Sequence, residues 1–262
     1  MKLKVNQNEV YAATGNRELD PDRETVVFIH GTGQDHTIWV LPTRYFARKG
    51  KNVLAIDLPG HGRSGGTLLE SIEAMADWLI DVLDTAGLFT ASLVGHSLGS
   101  LVAIATAARH PSRVRNIALV GTTVPMPVSE FLLDQARKND HTAIEMLNYW
   151  GLSKSAQLGG NSTPGNWMLG GGVRLMEKAG PGVIYQDLKA CNDYINGIRD
   201  AANVKCPALL ILGERDQLTP VRSTKTVSAA LQNAEIVVLE GSGHALLTER
   251  PDPVLDQLIR IV

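Results

Sequence analysis

The sequence predicts an α/β protein with a mostly parallel, twisted sheet flanked by helices. Three observations predict it. Compact apolar runs at 25–30 and 52–57 each end in a glycine-containing loop, as strands buried on both faces do. Helical periodicity separates such runs. The stretch 123–203 then holds helical patches and small residues but no strong strand run, and the alternation resumes after it.

Element by element, residues 2–6 and 9–13 read as short strands around Gln7-Asn8. Thr25–His30 and Asn52–Asp57 are the first two buried strands. Thr67-Leu68-Leu69-Glu70 has the form of a capping box. Beyond it Leu69, Ile72, Ala76, Leu79, Ile80 and Leu83 recur at helical spacing up to a stop at Gly87. Residues 91–94 form a short strand, 98–109 an alanine-rich helix closed by His110-Pro111, and 115–120 a further strand. Helical patches fall near 129–138, 142–150 and 184–196. Strands return at 207–212 and 235–239, and a last helix begins near Pro253. The organisation expected is a core of residues 1–122 and 204–262, with 123–203 inserted as a helical cap.

The chain has 262 residues, 44% of them hydrophobic, which is ample for a large core without disulfide or metal staples. Its 25 basic and 27 acidic residues give a net charge of −2, and no basic stripe announces nucleic acid. Cys191 and Cys206 have no metal-ligand spacing and read as reduced thiols. The N-terminus lacks a signal-peptide apolar region, and no run approaches the ~20 residues of a membrane helix. A cytoplasmic protein with no membrane partner is expected. Nothing in the sequence assigns an oligomeric state.

The chemistry concentrates in Gly95-His96-Ser97-Leu98-Gly99, placed between a strand and a small-residue helix. A sharp strand-to-helix turn crowds its neighbours. Glycines two residues either side relieve the crowding and leave the serine hydroxyl exposed. A serine needs a positioned base. Of seven histidines, His244 is favoured, because it follows the last strand on the small-residue loop Gly241–Ala245. The base needs an acceptor to set its tautomer. Asp216, just past strand 208–212, is preferred, with Glu214 its competitor. Gly31-Thr32-Gly33 is not a phosphate loop, since neither phosphate-binding pattern is present.

Taken in order, His30-Gly31, the loop Asp57 to Ser64, the Ser97 turn, Gly213 to Asp216 and Gly243-His244 resemble the α/β-hydrolase fold superfamily, in its serine-nucleophile, esterase-like branch. The likeness spans about 25–250. It implies an eight-stranded sheet, a Ser97–His244–Asp216 triad, and an oxyanion hole built from the backbone N–H groups of Thr32 and Leu98. It also implies catalysis without cofactor or metal. Ser97 argues against the dehalogenase and epoxide-hydrolase relatives, which use aspartate. Asp57 and Arg63 read as loop-structuring residues.

The expected activity is hydrolysis of small to medium carboxylic esters through an acyl-enzyme. Lactone, thioester or C–C bond hydrolysis and haloperoxidase-like perhydrolysis use the same triad. A small-ligand receptor on the same fold is the reading from another class. Trp150, Trp167 and Met168, with Leu169 and Met176, are candidates to line an apolar substrate pocket, and Trp39 to edge it; packing against the core is the alternative for each. Glycine clusters at 159–172 suggest a mobile lid or a close crossing of backbones.

Overall fold

The computed structural model describes residues 1–160 and 165–262. Eight strands form one sheet: β1 (Lys2–Val5), β2 (Asn8–Ala13), β3 (Thr25–Ile29), β4 (Asn52–Ile56), β5 (Ala91–His96), β6 (Val114–Val120), β7 (Ala208–Gly213) and β8 (Ala234–Leu239). Their spatial order is β1-β2-β4-β3-β5-β6-β7-β8. The β1–β2 and β2–β4 pairs are antiparallel, and every other pair is parallel.

Every residue of β3, β4 and β5 is buried, as their unbroken apolar runs require. Alternate side chains feed two cores. Val27, Ile29, Leu54, Ile56 and Leu93 face one side, where they meet helices α2 (Ile72–Thr85) and α3 (Leu98–Arg109), introduced here with α1 (Val40–Arg48). Val26, Phe28, Val53 and Val94 face the other and meet α1 and the C-terminal helix Pro251–Ile261.

Between β6 and β7 lie α4 (Glu130–Arg137), α5 (His141–Gly151), α6 (Lys154–Gln157), α7 (Met168–Met176), α8 (Val183–Asp193) and α9 (Gly197–Asn203). Leu132, Ala136, Leu147, Met176 and Leu188 give this helical layer a small core of its own. Its C-terminal end is different. Ala190, Cys191, Tyr194 and Ala201 join the main core beside α3.

Three expectations change. The capping box at Thr67–Glu70 is not used: Ser71 caps α2, its hydroxyl accepting from Ala74 N–H at 3.2 Å. The preceding residues are held in the loop after β4, where Leu68 covers Gly60. Strand β5 runs two residues further than its apolar run, because Gly95 and His96 stay in register with Leu119 and Val120. The glycines at 170–172 lie inside α7 rather than in a loose lid, because that helix is packed: Trp167 covers Gly170, and Gly172 lies against Asn148 of α5. Asn161 to Pro164, within the glycine-rich 159–172 stretch, fall outside the described residues.

Candidate active site

The loops after β3, β5, β7 and β8 converge at the C-terminal edge of the parallel strands, the usual ligand position in open α/β sheets. Ser97 sits where β5 gives way to α3, with φ 53° and ψ −118°. A non-glycine residue held there stores about 1–3 kcal/mol of strain. The surroundings impose it. Ser97 N–H donates to Val120 O at 2.9 Å, and Ser100 N–H to Ser97 O at 2.8 Å. The Ser100 hydroxyl also bonds Ser97 O and Thr122 Oγ1, lashing the turn to the end of β6. A Cβ at Gly95 would lie 2.0 Å from Gly99 O, and one at Gly99 2.3 Å from Ile29 O. Only glycine fits at these two positions, for the reason the sequence pattern suggests.

His244 and Asp216 meet across the β7 and β8 loops, with Nδ1 2.7 Å from Oδ2, both residues buried. Glu214, the competing carboxylate, turns outward to accept from Gly241 N–H. Asp216 Oδ1 accepts from Leu218 and Thr219 N–H at 2.8 and 2.7 Å, and Oδ2 from the Thr219 hydroxyl at 2.7 Å. Burial alone would raise its pKa, but the charge of His244 and these hydrogen bonds hold it below the usual carboxylate value. An ionised Asp216 requires His244 Nδ1 to be the donor, which leaves Nε2 as the free base. Thr219 Oγ1 is also 3.1 Å from His244 Nδ1. Sequence reasoning passed over Thr219, whose tie to His244 is made only in the fold.

Two more buried groups fix the His244 loop. His96 Nε2 donates to His244 O at 3.0 Å, and burial, then the proximity of His244, lowers its pKa to about 3, so it stays neutral. The Glu249 carboxylate accepts from Gly243 N–H at 3.0 Å and from Ser153 N–H, tying the loop to the helical layer.

In the loop after β3, the amides either side of Thr32 are committed. Gly31 N–H donates to Gln34 Oε1 at 3.1 Å and Gly33 N–H to Asp187 Oδ2 at 2.9 Å. The Thr32 N–H between them, and the Leu98 N–H at the start of α3, donate to no group among the described residues. The Leu98 amide also carries the positive end of the α3 dipole. Asp187, on α8, further faces His61 Nε2 at 3.0 Å, while His61 Nδ1 faces Pro59 O at 3.0 Å. Both ring nitrogens of His61 thus face acceptors. Burial works against a charge on the ring, but Asp187 outweighs it and raises the His61 pKa.

Ser97, His244, Thr32 and Gln34 line one cavity of about 460 Å³ roofed by the helical layer. Trp150 and Met168 line it, with Met176. Trp39 does not: it is wholly buried, stacked on Phe28 at 5.1 Å, because its helical turn faces the core. Trp167 is 69% exposed, its ring lying over Gly170 on the outer surface of α7. Leu169 packs with Leu152, Ala156 and Met168. One cluster of metal-ligand type occurs among the described residues, Asp35, His36 and Asp57. Its oxygens are committed: Asp57 accepts from His36 N–H and Nδ1 and from Arg63 N–H, and Asp35 caps the following turn. These residues stitch loops together.

This sheet, with a strained serine above it, defines an α/β hydrolase. Residues 26–257 match the alpha/beta hydrolase family, to which the chain belongs. It is 30% identical over 261 residues to the 2-hydroxy-6-oxononadienedioate/2-hydroxy-6-oxononatrienedioate hydrolase of Burkholderia vietnamiensis, covering 93% of this chain and 85% of that one. It is 28% identical over 240 residues to the pimeloyl-[acyl-carrier protein] methyl ester esterase of Neisseria meningitidis, covering 87% and 74%. The enol-lactonase from Burkholderia xenovorans superposes with a TM-score of 0.86 at 22% identity, over 100% of this chain and 99% of that one. No helix among the described residues is long and apolar enough to cross a membrane.

Proposed function

We propose that the protein hydrolyses small to medium carboxylic esters through an acyl-enzyme. The observation that carries this reading is the His244–Asp216 pair facing a cavity shared with the strained Ser97. Ser97 Oγ attacks the ester carbonyl carbon as His244 Nε2 takes the hydroxyl proton. The carbonyl π electrons move onto oxygen, which accepts from the Thr32 and Leu98 N–H groups. Each such donor is worth roughly 2.7–4 kcal/mol to the transition state. Collapse breaks the ester C–O bond, and His244 returns the proton to the departing alcohol. Water repeats the cycle on the acyl-enzyme, releasing the acid and restoring Ser97. Asp216 keeps the imidazole in its tautomer and stabilises the imidazolium. The cycle draws on no cofactor.

The helices of 123–203 act as the cap over this site, anchored to the core through α9. The unpaired Cys191 and Cys206 suit a reducing cytoplasm. C–C bond hydrolysis is the second reading, favoured by the relative at 30% identity. That relative is named for a dioate, and no lysine or arginine lines this cavity among the described residues. A methyl ester, as in the name of the Neisseria relative, fits an uncharged site better.

The test is hydrolysis of p-nitrophenyl esters of increasing acyl length by the wild type and Ser97→Ala in parallel. Serine-dependent turnover with a chain-length optimum supports the reading; no turnover on any ester removes it.

A further inference from the structure

One side chain of the cavity roof, Asn148, has an acceptor that no described residue fills. Asn148, on α5, lines the cavity and is only 8% exposed. Its Nδ2 donates to Ile144 O at 2.8 Å and contacts Met176 Sδ at 3.3 Å. These contacts fix the amide orientation, since a flip would set two oxygens against each other. Oδ1 therefore points away from its own helix, and it accepts no hydrogen bond from any described residue. A Cβ at position 172 would fall 2.0 Å from this oxygen, so Gly172 is what lets Asn148 sit there. Leu132, Leu147, Leu175 and Met176 line the same cavity. A site that lines its cavity with an acceptor no protein group fills discriminates sharply for a ligand that satisfies it.

We infer that Asn148 Oδ1 is a specificity determinant for an acyl chain that is otherwise apolar and uncharged but carries one hydrogen-bond donor, a hydroxyl or amide N–H. The acceptor is neutral, so it takes a neutral donor without the desolvation cost of a charge. The apolar surroundings hold the rest of the chain. Gly172 belongs to the same device, as the spacer that admits the amide. The inference rests on the ester-hydrolase reading and refines its substrate.

The experiment compares methyl heptanoate with the methyl hydroxyheptanoates bearing the hydroxyl singly at carbons 3 to 7. The readout is the ratio of kcat/KM for each hydroxy ester to that for the parent, taken within one protein sample so that loss of folded enzyme cancels. For at least one hydroxyl position the wild-type ratio exceeds one by about tenfold or more. Asn148→Leu brings that ratio to one or below, mainly through KM, because the contact is remote from the reacting carbonyl. Gly172→Ala, which displaces the amide without removing it, lowers the same ratio. A wild type that hydrolyses methyl heptanoate through Ser97 yet prefers no hydroxy isomer overturns the inference and leaves the ester reading standing. A ratio unchanged in both variants also overturns it. No turnover of any of these esters, together with none of the p-nitrophenyl esters, overturns the ester reading itself.

Discussion

Asp187 on α8 accepts a hydrogen bond from the Gly33 N–H at 2.9 Å, joining the helical layer over the cavity to the loop that carries Thr32. The same oxygen faces His61 Nε2 at 3.0 Å. Asp187→Ala would leave the buried Gly33 amide without its acceptor and remove the charge that raises the His61 pKa. Leaving a buried donor unsatisfied costs about 1–3 kcal/mol. The expected result is a fall of that size in urea stability, with lower kcat as Thr32 loses its fixed position. Unchanged stability would mean that the contact contributes nothing net.

The strained turn makes a separable prediction. Ser97→Ala abolishes ester turnover, yet alanine inherits φ 53° and gains no relief. Ser97→Gly is equally inactive but escapes the Cβ penalty, less the entropy that glycine loses on folding. The glycine variant should be more stable than the alanine variant by about 1 kcal/mol. Equal melting of the two would show that the turn is not strained at Ser97.

Much of this was readable in the sequence because the cause is local. Gly95 and Gly99 flank Ser97 at a spacing fixed by the turn itself, and Thr25–Ile29 is buried on both faces as its composition demands. What stayed hidden depends on contacts between distant residues. Trp39 looks available to a pocket until the fold sets it on Phe28. Ser71, not Thr67, caps the helix, in a segment whose Leu68 lies over Gly60. Asp187 and Gly33 lie 154 positions apart, and no pattern in either segment announces their bond.

Stability should peak near neutral pH. Burial, then repulsion from His61, lowers the His30 pKa from 6.5 to about 4; burial, then His244, lowers that of His96 to about 3. The unfolded chain takes up these two protons below pH 6.5 and the folded chain does not. Stability present above 6.5 is therefore lost as the pH falls toward 4, at up to about 2.7 kcal/mol per pH unit. His61, with its pKa raised, acts on the other side. Its contribution is complete below 6.5, where both states are protonated, and is lost as the pH rises through its folded value. Urea midpoints from pH 4.5 to 9 should trace a maximum close to 6.5. A flat profile between 6.5 and 5 would contradict the neutral, buried state of His30 and His96.

Thr219 shares its hydroxyl between Asp216 Oδ2 and His244 Nδ1. Thr219→Val keeps the shape and removes both contacts. Asp216 retains two backbone donors and stays oriented, so the loss is graded. A fall in kcat of about tenfold is expected, matching one hydrogen bond of roughly 1.4 kcal/mol. Asp216→Asn, which disturbs the tautomer itself, should cost about 10⁴. If the two variants lost activity equally, Thr219 would have to act on more than the orientation of the pair.

The last prediction concerns charge. Among the described residues the cavity lining offers no lysine, arginine, aspartate or glutamate, and the sequence between positions 160 and 165 is Asn-Ser-Thr-Pro, equally uncharged. A carboxylate entering this space gives up its hydration and meets no counter-ion, a cost of several kcal/mol. Dimethyl pimelate and monomethyl pimelate share a chain and a reacting ester but differ in that charge. The diester should be hydrolysed with a kcat/KM at least ~100-fold higher, since even about 2.7 kcal/mol of desolvation gives that ratio. Adding salt should leave the ratio nearly unchanged, because the penalty arises from burial rather than from screened surface charge. Comparable rates on the two esters would mean that the acyl chain lies toward solvent, and would move the binding site out of the space beneath Met176 and Leu132.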